Sequence, residues 1–223
     1  MKILAFEFSS PQRSVAVLQS NVAGKLRSSE VIETGTRGTN ATGMIDAALR
    51  QAQIEREQID CLAVGLGPGS YNGIRLAIAL VQGWQLASGP DGVKLLGLDS
   101  AQCIALHARE QGLVGRVTVV IDAQRGEFYV ATYNLGPESW QQVEPLRLAI
   151  LEEVRQKEAA GDLLIGPEVG KWFPSGRLFF PRAAVLGRLA RGRTDFIAGE
   201  KLEPIYLRET KFVKAPPPRI WKS

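Results

Sequence analysis

The sequence predicts an α/β fold made of two related lobes. Three observations point there. Short apolar runs alternate with stretches of helical periodicity along most of the chain. The two halves open alike: an apolar run at 3–7 ends in Glu7, turns, and is followed by an apolar run at 14–18. A run at 119–122 ends in Asp122, turns, and is followed by a run at 128–133. Glu7 and Asp122 stand 115 residues apart, about half of the 223-residue chain. Finally, 45% apolar and 22% charged residues are ordinary for a folded globular protein. Strand–acid–turn–strand is a common pattern, so the echo alone does not separate duplication from coincidence.

The elements follow in order. Residues 3–8 are apolar β-formers and read as a strand ending at Ser9-Ser10-Pro11. Residues 14–18 and 25–34 read as the next two strands. A helix is predicted over 40–55, where Met44, Ala48 and Ala52 line one stripe beside Ile45 and Leu49 at spacings of three and four. Residues 61–66 form a buried-strand run closed by Gly67-Pro68-Gly69. A helix over 72–88 is stopped by Gly89-Pro90. A strand at 95–98 leads to a helix over 100–111, with Asp99 or Ser100 as N-cap. The second half has strands at 117–122, 128–133 and about 143–148, a helix over 151–160 and a strand at 163–165. A turn at 174–176, a short strand at 178–180 and a last helix over 183–191 complete it. Three units are expected: a first lobe over 1–112, a second over 113–207, and a basic, proline-containing tail over 208–223.

Composition excludes several chemistries. One His and two Cys do not supply a Cys/His zinc site, and they allow at most one His-dependent triad. Neither a metal nor a cofactor is expected. His107 reads as a surface or interface residue, and Cys61 and Cys103 as small core residues. The opening apolar run is broken by Glu7, too short for a secretory leader. No charge-free apolar run approaches the ~20 residues of a membrane span. A cytoplasmic protein that meets no membrane is expected. Net charge is +4, but residues 208–223 hold five Lys/Arg against one Glu, leaving 22 basic and 22 acidic residues over 1–207. The body is neutral and the excess sits in the tail. Basic residues with Phe212 and Trp221 suit nucleic acid; a solvated terminus is the plainer reading.

The sharpest local feature is Gly67-Pro68-Gly69-Ser70 followed by Gly73-Ile74-Arg75, between a strand and a helix. Glycines permit close backbone approach, and a helix N-terminus offers free N–H groups to an anion. The loop lacks the Lys-Ser/Thr of a P-loop and the spacing of a dinucleotide fingerprint. A structural turn and a phosphate cradle both remain open.

These residues resemble the signature of the TsaB (YeaZ) family. The opening ILAFEFSS, the stretch Ile121-Asp122-Ala123-Gln124-Arg125-Gly126-Glu127-Phe128-Tyr129 and the stretch Glu203-Pro204-Ile205-Tyr206-Leu207-Arg208 are similar to its other motifs, in the same order. The resemblance implies the duplicated actin/Hsp70/sugar-kinase (ASKHA) fold. It implies a non-catalytic role in making threonylcarbamoyladenosine at position 37 of tRNA, beside the catalytic subunit TsaD and the ATPase TsaE. A homodimer is expected when TsaD is absent, and tRNA contact is expected only through the complex. No catalytic residue is expected here. The first strand ends in Glu7 where the family has Asp, Thr39-Asn40 replaces a His-Ser pair, and Asn72 stands where Thr is usual. Glu7 and Asp122 are therefore candidates only for a vestigial nucleotide site. Glu7 reads more simply as a capped or solvated strand-end acid, and Asp122 as a turn-stabilising one. Rival readings are an ASKHA ATPase or phosphotransferase, and a zinc peptidase, which the His and Cys count opposes.

From Leu76 to Pro90 the chain has no charged residue, and apolar groups surround nearly the whole helix. Such a helix needs cover on more than one side. That cover is either the neighbouring helix over 40–55 or another subunit. In the family, these two helices pair with the partner's, so Met44, Ala48, Ile74, Ile78, Gln82 and Gln85 are the expected interface residues.

Overall fold

The computed structural model describes residues 1–20, 26–35, 38–89 and 92–208. The first lobe holds β1 (Ile3–Glu7), β2 (Gln12–Ser20), β3 (Leu26–Thr34), α1 (Ala41–Ala52), β4 (Cys61–Gly65), α2 (Tyr71–Ser88) and β5 (Lys94–Leu98). After α3 (Ser100–Glu110) come β6 (Gly115–Asp122), β7 (Glu127–Leu135), β8 (Trp140–Ile150), α4 (Leu151–Ala159), β9 (Leu163–Gly166), β10 (Arg177–Leu178) and α5 (Ala183–Ala190). The sheets run β3-β2-β1-β4-β5 and β8-β7-β6-β9-β10, one order repeated. In each, the central strand pairs antiparallel with its hairpin partner and parallel with the strand after the first helix. The duplication suggested by the echo is thus a repeated topology, the two-lobed arrangement of the ASKHA class.

Burial explains the strand patterns. β1 is covered on both faces, so all five residues are buried and the run is continuously apolar. Leu4, Phe6 and Phe8 share a core with α1 and α2, whereas Ile3 and Ala5 share one with α5. The closing helices cross over: α3 packs on β6, β7 and β8, and α5 packs on β1 and β2. Each lobe therefore carries the other's last helix. Residues 197–205 also return to the first lobe, where Ile197 N–H donates to Leu95 O and Leu202 is buried in the core with Val93 and Leu95. Chain order thus places 183–207 in the second lobe, while packing places α5 and this returning segment against the first.

Several boundaries differ from expectation. The first helix stops at Ala52, three residues early, because Gln53 turns left-handed (φ 56°) and Ile54 N–H reaches back to Leu49 O. β8 is longer than expected, at 11 residues, and its pairing with β7 slips between Val130 and Tyr133. Two residues, Pro145 and Leu146, face Ala131 there, a bulge that accommodates a proline without an N–H. The strand expected at 178–180 is only Arg177–Leu178. Pro90 and residues 209–223, including the aromatic part of the basic tail, lie outside the described residues.

Candidate functional site

Two features invite function: the cleft between the lobes and the outer face of α2. The cleft has a volume of about 1150 Å³. Its walls are equivalent pieces of the two lobes. The β1–β2 turn (Ser9, Ser10) with Arg13 of β2 faces the end of β6 (Asp122) with the β6–β7 turn (Gln124, Arg125). The loop after β4 (Gly69, Ser70) faces the loop after β9 (Pro167, Glu168). Tyr129, Tyr206 and Arg208 also line it; sequence reasoning did not place them there.

The carboxylates that open the two halves have different fates. Asp122 lines the cleft, half-buried, and its Oδ1 accepts the Gln124 N–H at 2.6 Å, the expected turn-stabilising bond. Gln124 and Arg125 follow in left-handed conformation (φ 62° and 58°). Of the two plainer alternatives, capped or solvated, Glu7 is the capped one, 0% exposed beneath the turn. Its Oε1 accepts the Ser9 N–H and its Oε2 the Ser100 hydroxyl, each at 2.8 Å. Both oxygens are engaged, tying the end of β1 to the start of α3. Burial pushes the Glu7 carboxyl above its ordinary range. Burial likewise lifts Asp99, which caps α3 through the Ala101 N–H, to about 6.

The sign of the pH effect follows. With its folded pKa raised, Glu7 keeps a proton that the unfolded chain has released, so stability falls as pH climbs from about 4.5 through the folded value. Gln can accept from Ser9 and donate to Ser100. Glu7→Gln is therefore expected to match wild type near pH 4 and to be the more stable of the two at pH 8. Urea unfolding of both proteins at the two pH values checks this, and a pH-independent difference contradicts it. Repulsion from the Asp99 carboxylate adds to the rise at Glu7, and Glu7→Gln removes it too, in the same direction.

In the glycine loop, Gly69 and Ser70 line the cleft, whereas Gly67, Pro68 and Gly73 do not. The Ser70 N–H donates to Ser9 O at 2.7 Å, so the loop is bonded to the β1–β2 turn. Ser70 also caps α2 through the Gly73 N–H. Arg75 is engaged with a cleft-lining tyrosine: its Nη1 donates to Tyr71 Oη at 2.7 Å and its guanidinium lies over the Tyr71 ring. The loop's observed bonds are structural. Cys61 and Cys103 are buried, with burial pushing the Cys61 thiol up to about 12. His107 is half-buried, its Nδ1 2.8 Å from Phe180 O, and burial lowers its pKa. Among the described residues, no group of three or more His, Cys, Asp or Glu is placed to hold a metal ion.

The α1/α2 surface corrects the expected interface residues. Met44, Ala48, Ile74 and Ile78 are all buried in the core shared with β1 and β4, and present nothing outward. Gln82 and Gln85 are also occupied: Gln82 Nε2 donates to Gly199 O at 2.8 Å, and Gln85 Oε1 accepts the Gly199 N–H at 3.0 Å. The outward face of α2 is instead Leu76, Ala79, Gly83, Leu86 and Ala87, all exposed, with Leu86 at 84%. These positions recur at helical spacing and carry no charge. Arg56 of the neighbouring turn lies over Trp84 at their edge, 5.2 Å from its ring centre.

The family model described as "TsaD: tRNA N6-adenosine threonylcarbamoyltransferase" matches residues 38–194. The chain belongs to this family. Within it, the similarities are to TsaB/YeaZ proteins. "tRNA threonylcarbamoyladenosine biosynthesis protein TsaB" of Escherichia coli K12 is 28% identical over 74% of this chain and 78% of the relative. The protein of the same description from Buchnera aphidicola subsp. Schizaphis graminum is 24% identical over 91% of this chain and 95% of the relative. A solved structure, "YeaZ from Pseudomonas aeruginosa", superimposes with a TM-score of 0.74 at 26% identity, covering 92% of this chain and 99% of that one. This TsaB/YeaZ chain thus shares its fold with that structure over nearly its full described length. No helix among its described residues is long and apolar enough to cross a membrane.

Proposed function

We propose that the chain is a non-catalytic subunit in tRNA threonylcarbamoyladenosine synthesis and that it docks on TsaD through the outer face of α2. The observation that carries this reading is the uncharged exposed stripe Leu76, Ala79, Gly83, Leu86 and Ala87. An apolar helical face left open by the chain's own core has the character of a protein-binding surface. The role in tRNA modification is drawn from relatives named for that pathway. Catalysis falls to the partner: Glu7 has both oxygens engaged beneath the cleft, and Asp122 is committed to its own turn. TsaE and tRNA enter through the assembled complex. In the absence of TsaD, the same stripe is available to a second copy of the chain. Size-exclusion chromatography of the purified chain with TsaD of the same organism tests the docking step. A co-eluting complex is expected; separate elution at micromolar concentrations of both contradicts the reading.

A further inference from the structure

We infer that residues 197–208 form a strap that couples the docking helix α2 to the second-lobe wall of the cleft. The segment is fastened along its whole length, at points belonging to different structural units. Ile197 N–H donates to Leu95 O at 3.0 Å, extending the pairing of the outer strand β5. Gly199 is gripped from α2 on both backbone polar groups, by Gln82 at 2.8 Å and Gln85 at 3.0 Å. Leu202 is 4% exposed in the first-lobe core. Ile205 N–H donates to Leu66 O at 2.9 Å, just before the glycine loop. The Tyr206 ring lies 5.5 Å from that of Tyr71, in the first turn of α2. Arg208 then crosses to the other lobe, where its guanidinium donates to Ala123 O at 3.0 Å, Gln124 O at 3.2 Å and Glu127 Oε2 at 3.1 Å.

The far anchor is the turn that most needs holding. It has three consecutive residues at positive φ, Gln124, Arg125 and Gly126, and carries Asp122 into the cleft. The Arg208–Glu127 pair is half-exposed and weak alone. The two carbonyl contacts make the guanidinium a clamp on the loop backbone. Between the anchors the strap is short and bonded at both ends, so a shift of α2 along its axis pulls on Gly199 and Tyr206 together. The strap therefore gives docking at α2 a physical route to the cleft wall, and the reverse. That consequence for docking rests on the proposed α2 interface; the coupling itself does not.

Hydrogen exchange on the full chain tests it in two arms. Ala123 N–H is bonded to Glu127 O and Glu127 N–H to Gln124 O, so both report on the turn. Gln82→Ala frees the strap at the opposite end and touches neither. It is expected to speed exchange at Ala123 and Glu127 by about threefold or more, as are Tyr206→Ala and Arg208→Gln, with central β6 amides unchanged. Faster exchange confined to 197–202, or a uniform rise that includes β6, overturns the coupling. In the second arm, adding TsaD is expected to slow exchange at both amides in wild type and not in Arg208→Gln. Binding of TsaD without that slowing overturns the coupling and leaves the docking proposal standing. Absence of binding overturns the docking proposal, and the first arm then decides the strap alone.

Discussion

Gly83→Arg is expected to weaken binding to TsaD by about 100-fold or more while leaving the chain folded. The position sits at the middle of the exposed α2 stripe, and a Cβ added there meets nothing within 4 Å. Replacing a mid-helix glycine removes a penalty of about 1 kcal/mol, so the isolated variant is expected to be no less stable than wild type. At an interface the outcome reverses. A guanidinium pressed into an apolar, unpaired setting costs about 3 kcal/mol or more, which is roughly the 100-fold loss. Titration calorimetry with TsaD and thermal melts of the free variant read the two effects separately. Unchanged affinity places the interface elsewhere. The same substitution at Gln82 is a poor test, because it breaks the grip on Gly199.

Gly73→Ala, ten residues earlier on the same helix, is expected to act through the fold instead. Its added Cβ stands 2.0 Å from the carbonyl oxygen of Phe8, far inside contact distance. Neither side yields easily. Phe8 is 0% exposed in the core, and the Ser70–Ser9 bond fixes the loop against the same stretch of chain. The clash is expected to cost about 3 kcal/mol, of which the better helix propensity of Ala returns about 1, for a net loss of about 2 kcal/mol. Gly83→Ala on the same helix is expected to gain about 1 kcal/mol. Urea midpoints of the two alanine variants should therefore move in opposite directions; a shared direction contradicts the packing of α2 against β1.

These variants also show what was legible in the sequence. β1 and β4 are covered on both faces, so each reads as a nearly continuous apolar run and was recovered; β6 was recovered from Val117 onward, its exposed Gly115 and Arg116 giving no apolar signal. The start of α2 was within one residue, because Gly69-Ser70 supplies a turn and a cap. The end of α1 was not, since Gln53 carries no sequence signal for the left-handed conformation that stops the helix. β8 was half legible because its bulge breaks the alternation. The stripe on α2 was the hardest case. A helix apolar on nearly every side does not say which side faces in. Ile74, Ala77, Ile78 and Val81 turn to the core, leaving Leu76, Ala79, Gly83 and Leu86 outside. Gln82 and Gln85 read as interface residues because their own partner, Gly199, lies more than a hundred residues away in sequence. The cleft residues Asp122, Gly69 and Ser70 were found from local motifs. Tyr206 and Arg208 reach the cleft only through the strap, a tertiary arrangement no local pattern encodes.

The account stands most directly on the modified nucleoside itself. Depleting the chain in its host and measuring threonylcarbamoyladenosine in total tRNA by mass spectrometry reads the proposed role without assuming the interface. The modification is expected to fall by about tenfold or more and to return with wild type but not with Gly83→Arg, through loss of roughly the binding energy estimated above. Undiminished modification after depletion contradicts the proposed function, and full rescue by Gly83→Arg contradicts its mechanism.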